Sequence, residues 1–390
     1  MMNRKKKIVI IGGGLAGLAL AMKFCERNGE VTVVSYQSLK RSHSVCAQGG
    51  INAAIDAKNE GDSPEKHFYD TIKGGDFLAH QPLVRDMCFQ APAIIHLMDR
   101  MGVAFNRTGE GHLDFRRFGG TLYDRTAFAG ATTGQQLVYA LDEQVRRNIH
   151  DGNATALEWH EYLGAVLDSD GICRGAVIHD LKTDEIYTLP ADAVVLATGG
   201  PGQVYGRSTN SVVNTGAAAT TAYLQGAKYA NGEFIQIHPT AIPGQDKLRL
   251  MSESARGEGG RVWVPRKSND KRTPKKIPEN ERLYFLEEKY PLFKNLVPRD
   301  VASREIYDIV YNQKMGVQGD PMVYLDLTHK SREFLDNRLG GIMDIYTKFT
   351  GVDPREHPMK IFPAVHYSMG GLWTDYGPDQ NGLIDHGSPR

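Results

Sequence analysis

The spacing of apolar and polar residues near the N-terminus predicts a strand, a glycine turn, a helix and a second strand. The apolar runs at Lys7–Ile11 and 31–35 are short, which indicates buried parallel strands. Between them, apolar residues recur at helical spacing over 18–28. The turn that links the first strand to the helix reads GGGLAG. In this context the glycine spacing predicts a dinucleotide-binding unit.

The three glycines of this turn each have a physical purpose. Gly12 permits the tight turn, Gly14 lets the backbone approach a pyrophosphate, and Gly17 allows the helix to pack closely on the strand. The second strand departs from the usual pattern because it ends in Ser35 where an acid normally holds the ribose hydroxyls. A serine can still donate a hydrogen bond to ribose, so Ser35 remains a candidate cofactor contact.

Further apolar patterns extend this nucleotide-binding fold along the chain. Residues 193–196 predict another buried strand, and the turn after it, with Thr198 and Gly199, predicts a second contact with the dinucleotide. The alternative is an ordinary strand and turn. Amphipathic segments predict helices over 82–101 and 134–148, and alternating runs predict a β-meander over 159–189.

The chain of 390 residues is long enough for two domains. Residues 1–233 carry the nucleotide-binding pattern. Residues 234–353 lack that pattern and are richer in charged and aromatic residues, which predicts an inserted second domain. Residues 354–390 are then the start of a return to the first domain. The basic, polar stretch 266–280 predicts a solvated loop.

Composition excludes several classes of function. Forty-six basic residues balance forty-six acidic ones, so no net field favours nucleic acid. The four cysteines are widely spaced, which argues against a disulfide framework, a metal site or an iron–sulfur cluster held by this chain alone. No apolar segment reaches about 20 residues, so we expect a soluble protein that meets a membrane only through partners.

The segment RSHSVCAQGG at 41–50 lies one strand beyond the glycine turn, where a flavin ring is expected. A histidine there can bond covalently to a flavin and change its redox chemistry. The candidate cofactor contacts in this segment are Ser42, His43, Ser44, Gln48, Gly49 and Gly50.

Ionisable and hydroxyl side chains elsewhere form a second set of candidates beside glycine-rich turns. They are His238, Ser252, Glu253, Arg256, Arg299 and His366. Each has a plain structural alternative, such as a loop histidine before a proline or a solvated turn in SESARGEGG. Together they suit a small dianionic acid beside a flavin, because they combine cationic groups with one carboxylate that can carry a proton.

At these residues the chain resembles the flavoprotein subunits of succinate dehydrogenase and fumarate reductase, most closely the bacterial type with SHSVCAQGG. Ordered motifs carry the resemblance over essentially the whole chain: GGGLAG, RSHSVCAQGGINAA, DFRRFGG, ATGGPG, NGEFIQIHPT, LMSESARGEGG, VPRD and HYSMGG. The resemblance implies an α/β fold with a Rossmann-like FAD-binding domain and an inserted α+β capping domain.

The resemblance also implies a role for each candidate residue. His43 would carry the covalent bond to FAD. His238 and Ser252 would bind one carboxylate of succinate or fumarate, and His366 the other. Arg299 would be the proton shuttle, with Glu253 and Arg256 relaying that proton to solvent. Hydride would pass between the substrate and the flavin.

The same resemblance implies partners and a place in the cell. Electrons would pass to an iron–sulfur subunit and reach quinone through a membrane-anchor subunit, as in the tricarboxylic acid cycle or anaerobic respiration. The subunit would be cytoplasmic and peripheral on the inner membrane. The direction of catalysis, succinate oxidation or fumarate reduction, stays open.

The family's chain continues past the point where this sequence stops, through a second flavin-contacting strand, a substrate arginine and a helical domain. We therefore expect a truncated chain, poorly active by itself. Two alternatives remain: a non-catalytic fragment of that subunit, or an L-aspartate oxidase-like flavoenzyme. His43 argues against the second, because that enzyme is expected to lack a flavin-linking histidine.

Overall fold

The fold was analysed in a computed structural model that describes residues 4–206, 208–242 and 248–374. Its helices are α1 Leu15–Cys25, α2 Pro64–Gly74, α3 Gln81–Arg100, α4 Thr133–His150, α5 Ala217–Leu224, α6 Ser254–Gly257, α7 Phe285–Lys289, α8 Arg299–Tyr307 and α9 Arg332–Thr350. Its strands are β1 Lys7–Ile11, β2 Glu30–Ser35, β3 Ile51–Asn52, β4 Phe115–Arg116, β5 Thr126–Ala127, β6 Ala154–Glu158, β7 His160–Leu167, β8 Cys173–Asp180, β9 Ile186–Pro190, β10 Ala193–Leu196, β11 Tyr229–Ala230, β12 Ile235–Ile242, β13 Arg249–Leu250, β14 Arg261–Pro265, β15 Arg282–Leu283, β16 Val323–Asp326, β17 Met359–Ser368 and β18 Gly371–Leu372.

The chain divides into two compact units. The first unit contains the described residues of 1–46, 134–236 and 366–390, and the second contains those of 47–133 and 237–365. The predicted boundary between residues 233 and 234 lies close to the observed boundary between residues 236 and 237. Segment 47–133, however, groups with the second unit rather than with the nucleotide-binding part. The end segment 375–390, on which the expected truncation depends, lies outside the described residues.

Contacts within the second unit explain the grouping of 47–133. Arg338 of α9 donates a hydrogen bond of 2.8 Å from Nη1 to Asp114, and the same guanidinium bonds Glu258 at 2.9 Å. A Cβ built on Gly257 would lie 2.6 Å from the Arg117 carbonyl oxygen. Pairing between residues this far apart leaves no local sequence pattern. Domain boundaries predicted from local composition therefore could not place segment 47–133 in the second unit.

The first unit is built on a four-stranded parallel sheet in the order β10-β1-β2-β6. Helix α1 crosses from β1 to β2, and the two strands pair from Lys7 with Glu30 to Ile11 with Val34. The predicted β-meander is confirmed as the antiparallel sheet β7-β8-β9. Apolar side chains of both sheets share one buried cluster, which includes Val9 and Ile178. The parallel sheet and the meander therefore pack against each other within the first unit.

The second unit is built on a six-stranded sheet in the order β13-β12-β17-β16-β14-β15. Its core is a large apolar cluster in which Trp263 and Tyr324 are buried and their ring centroids lie 4.6 Å apart. The polar stretch 266–280, predicted as a solvated loop, is anchored at two points. Ile277 is buried in the core, and Asp270 is buried and paired with Arg272.

Candidate functional site: a glycine cradle and a buried ionic cluster

The glycine turn of the first unit has the close approaches that the sequence predicts. Gly12 has φ +114°, and a Cβ built there would lie 2.3 Å from the Ala197 carbonyl oxygen. A Cβ on Gly17 would lie 2.0 Å from the Gly12 carbonyl oxygen. A Cβ on Gly14, in contrast, would have the Ser44 hydroxyl at 3.1 Å as its nearest neighbour. Gly12 and Gly17 therefore serve packing, and Gly14 leaves the helix start open to a ligand.

His43 lies in the short helical turn His43–Cys46, and two backbone amides donate hydrogen bonds to side chains of this turn. The Ser211 amide donates to His43 Nδ1 at 3.1 Å, and the Leu15 amide donates to the Ser44 hydroxyl at 3.2 Å. The Ser42 hydroxyl is buried and has no hydrogen-bond partner in the described part of the chain. A buried hydroxyl without a partner is costly, so it suits a polar ligand. These residues fit a dinucleotide bound in the first unit.

The strand predicted over 193–196 is β10, and the turn that follows it borders the glycine turn. Gly199 in this turn has φ +71°, which favours glycine, beside Thr198. His366 also belongs to the first unit. Its Nδ1 lies 2.6 Å from the Thr209 hydroxyl, and Asn210 donates from Nδ2 to its carbonyl at 2.8 Å. The sequence motifs did not single out Thr209 or Asn210, because only the fold brings them to this histidine.

Gln48, Gly49 and Gly50 lie in the second unit, where one buried arginine holds their backbone. Arg116 donates from Nε to the Gly49 carbonyl at 3.1 Å and from Nη2 to the Gln48 carbonyl at 3.3 Å. Gly50 has φ +136°, and a Cβ there would lie 2.5 Å from the Ala127 carbonyl oxygen. Burial lowers the pKa of Arg116 to about 10, still above neutral pH. Arg116 belongs to the DFRRFGG motif, but the motif by itself does not predict these contacts.

Four of the predicted substrate and catalytic residues form one ionic cluster in the second unit. Glu253 is at its centre: Oε2 accepts a hydrogen bond of 3.0 Å from Arg299 Nε and lies 3.3 Å from His238 Nε2. Its other oxygen accepts a hydrogen bond from Arg256 Nη2. Arg256 also donates from Nη1 to the backbone carbonyl of Asn295 at 2.8 Å. These four side chains converge although up to 61 positions separate them in sequence, as between His238 and Arg299.

Burial within this cluster is nearly complete, apart from one arginine. His238 and Glu253 are 0% and 3% exposed, whereas the Arg299 side chain is 31% exposed. Ser252 is buried, and its hydroxyl is hydrogen bonded to that of Ser254. The structural alternative for SESARGEGG expected a solvated, salt-bridged turn. The salt bridge is present between Glu253 and Arg256, but the expected exposure to solvent is wrong for residues 252–256, which are buried. Arg299, at the first residue of α8, is the group of the cluster that reaches solvent.

The protonation states follow from burial and from the two guanidinium groups. Burial, together with the charges of Arg299 and Arg256, lowers the pKa of His238 to about 4, so this imidazole is neutral near pH 7. Burial opposes ionisation of Glu253, but Arg256 and Arg299 outweigh it and hold the pKa of that carboxyl well below its usual range. The Thr240 amide donates to His238 Nδ1 at 3.2 Å, which places the proton of the neutral ring on Nε2. The cluster therefore has two positive charges and one negative charge, an arrangement suited to an anion.

No helix in 4–206, 208–242 or 248–374 combines the length and apolar character required to cross a membrane. The same residues contain no group of three or more His, Cys, Asp or Glu side chains arranged to hold a metal ion.

Comparison with known proteins adds independent information. The FAD binding domain family matches residues 7–378. The chain is 62% identical to the succinate dehydrogenase flavoprotein subunit of Bacillus subtilis, covering 95% of this chain and 61% of that protein. It is 32% identical to the fumarate reductase flavoprotein subunit of Haemophilus influenzae, covering 95% and 61%. A mutant E. coli quinol fumarate reductase has a similar structure, with TM-score 0.82, 31% identity, and coverage of 99% of this chain and 63% of that one. The chain thus spans about three fifths of these relatives.

Proposed function

Because this chain belongs to the FAD binding domain family, we propose that it is the flavin-carrying part of an oxidoreductase that interconverts succinate and fumarate. The ionic cluster around Glu253 is the observation that carries the proposal. It is buried, has a net positive charge and includes an arginine that reaches solvent. The succinate dehydrogenase and fumarate reductase names of the relatives agree with a dianionic substrate.

FAD, when bound, accepts or returns the hydride, and the chain's own residues handle anion binding and the proton. His238 and Ser252 bind one substrate carboxylate, and His366 binds the other. Arg299 gives or takes the proton, and the chain Arg299–Glu253–Arg256 is connected by hydrogen bonds that restore it. Because its pKa is low, Glu253 passes the proton on and does not store it.

His43 is the proposed point of covalent attachment. The Ser211 amide donates a hydrogen bond to its Nδ1 at 3.1 Å, which helps to orient the ring. Gly12, Gly14 and Gly17 would hold the pyrophosphate, with Ser35, Ser42, Ser44, Thr198 and Gly199 as further cofactor contacts. In the second unit, Arg116 would keep Gln48, Gly49 and Gly50 in their cofactor-binding conformation.

Electron transfer beyond the flavin is part of the same proposal. We propose that an iron–sulfur subunit receives the electrons and that a membrane-anchor subunit exchanges them with quinone, placing this chain peripherally on the cytoplasmic side of the inner membrane. The E. coli relative is a quinol fumarate reductase, which agrees with quinone exchange.

The substitution Arg299→Lys tests the proton assignment, with Arg304→Lys as control. Both arginines lie on α8, but Arg304 is exposed and pairs with Asp300. We expect Arg299→Lys to keep flavin and succinate binding, read from the flavin absorbance, and to lower turnover with an artificial acceptor at least about 100-fold. Arg304→Lys should leave turnover unchanged. Near-normal turnover of Arg299→Lys would show that another group moves the proton.

Covalent attachment is tested separately by flavin fluorescence on a denaturing gel. We expect a fluorescent band in the parent chain that disappears in His43→Ser. A chain that retains flavin but neither binds succinate nor turns it over would support the alternative of a non-catalytic fragment.

A further inference from the structure

Helix α8 carries a buried hydroxyl one turn after Arg299. Arg299 is the first residue of α8 and Ser303 lies four positions later, so the two side chains are on the same face of the helix. In α8, every residue of which is described, Ser303 is the one polar side chain that is buried. Alanine favours a helix more than serine does, and a buried hydroxyl without a partner is costly. A serine at this position is therefore explained by what its hydroxyl binds.

The Ser303 hydroxyl connects α8 to the strand that carries His238. It donates a hydrogen bond of 2.9 Å to the backbone carbonyl of Ile237, in β12. A serine within a helix commonly bonds the carbonyl four residues before it, which here belongs to Arg299. Because the hydroxyl bonds a different element instead, it joins α8 to β12 by a contact of defined length and direction.

This hydrogen bond closes a ring of contacts around the ionic cluster. Arg299 Nε donates to Glu253 Oε2 at 3.0 Å, and the same oxygen lies 3.3 Å from His238 Nε2. His238 follows Ile237, whose carbonyl binds Ser303. Ser303 in turn lies one helical turn from Arg299. The position of α8 along β12 therefore determines whether Arg299 reaches Glu253.

The other contacts of α8 fix its position less sharply. Ala302 and Ile306 lie in the apolar core of the second unit. Apolar packing is not directional, so it holds the helix on the core but discriminates weakly between small shifts along the helix axis. The pair of Arg304 with Asp300 lies within the helix and is exposed. The directional, buried link from α8 to β12 is the one that Ser303 makes.

We propose that Ser303 is a positioning residue for Arg299: its hydrogen bond to the Ile237 carbonyl holds α8 against β12, so that the Arg299 guanidinium stays bonded to Glu253. Its part in the reaction rests on the proposed function. Without this bond, Arg299 would spend time away from Glu253, and the proton transfer assigned to that pair would slow. Binding of the substrate carboxylate by Ser252 would change little.

The first test reads the bond between Arg299 and Glu253 directly and needs no turnover. NMR of the isotope-labelled chain gives the rate at which the Arg299 Nε–H exchanges with water, the signal being assigned by its loss in Arg299→Lys. Ser303→Ala should raise this rate at least about tenfold, whereas Ser303→Thr, which keeps the hydroxyl, should stay within about threefold of the parent. Ser268→Ala is the matched control. It removes a hydroxyl that donates at 3.0 Å to the Lys314 carbonyl, and it should leave the rate unchanged.

Arg261 separates a loss of position from a general loosening of the second unit. Its Nε donates to Glu287 at 2.9 Å, and its side chain is 32% exposed, against 31% for Arg299. The Arg261 Nε–H signal, assigned by its loss in Arg261→Lys, should keep its exchange rate in Ser303→Ala. Equal acceleration of both signals would mean that Ser303 serves only the stability of the unit. That result would overturn the proposal, as would an unchanged Arg299 rate or an Arg299 signal that is already unprotected in the parent.

The second test reads catalysis in the chain loaded with FAD. Ser303→Ala should lower kcat for succinate with an artificial acceptor about tenfold, and should leave the dissociation constant of succinate, read from the flavin absorbance, within about threefold of the parent. Ser303→Thr should restore kcat. An unchanged kcat in Ser303→Ala, beside a parent that oxidises succinate, would remove Ser303 from the reaction and leave the proposed function intact. A parent that shows the exchange effects but does not turn succinate over would contradict the proposed function alone.

Discussion

The two compact units present their candidate residues in opposite ways. In the first unit, the cradle around Gly12, Gly14 and Gly17 consists largely of backbone, and its geometry depends on missing side chains. In the second unit, the cluster around Glu253 consists of charged side chains that are almost fully buried. A backbone cradle tolerates little added volume, whereas a buried ionic cluster tolerates little change in charge. The same distinction predicts how each unit responds to substitution.

The largest effect is expected from removing the central charge of the second unit. Glu253→Gln leaves Arg256 buried without its counter-ion, so the free energy of unfolding should fall by about 3–5 kcal/mol in a denaturant titration. Glu288→Gln, which breaks the exposed pair with Arg266, should cost about 1 kcal/mol or less. Equal losses in the two variants would show that burial does not govern the strength of these pairs.

Added volume should destabilise the first unit in proportion to the space available. Gly17→Ala forces a Cβ against the Gly12 carbonyl and should lower the free energy of unfolding by up to about 3 kcal/mol. Gly14→Ala should fold with a loss below about 1 kcal/mol, because only the Ser44 hydroxyl is near, yet it should retain less FAD. If Gly14→Ala proved the less stable protein, the division between packing and ligand glycines would be wrong.

Acid should affect the second unit through its buried histidine. The pKa of His238 is about 4 in the folded chain and about 6.5 when unfolded, so the unfolded state binds a proton first as the pH falls. Stability is therefore lost as pH falls from about 6.5 towards 4. Between pH 7 and pH 5 the loss should be about 2 kcal/mol for this residue.

Denaturant titrations at pH 7 and pH 5 check the acid response. In His238→Gln, the loss of stability between pH 7 and pH 5 should be smaller than in the parent by about 2 kcal/mol. His67 is also buried in the second unit, and burial lowers its pKa to about 4. Its contribution to the pH dependence of stability should therefore persist in the His238→Gln variant. A His238→Gln variant with the full pH dependence of the parent would mean that His238 is not neutral when buried.

How much could be predicted differs between the two sites for a physical reason. β1, β10 and the meander were predicted almost to the residue, because each depends on local apolar spacing and on adjacent turns. His238, Glu253, Arg256 and Arg299 were identified as candidates, but their convergence was not, because their contacts span long stretches of chain. Arg116 and Thr209 were not identified, since hydrogen bonds to backbone carbonyls or between distant loops leave no motif.

The sequence by itself determined the nucleotide-binding unit and the residue types available for chemistry. Gly12 acts through its positive φ, Gly12 and Gly17 through close approach, and Gly14 by leaving the helix start open, which a strand–turn–helix pattern already implies. Only the tertiary structure decided which charges are buried together and how each is protonated. A pKa depends on the dielectric and on charges a few ångströms away, and these exist only once distant segments have packed. Glu253 is an acid in the sequence, but its permanent negative charge is a property of the fold.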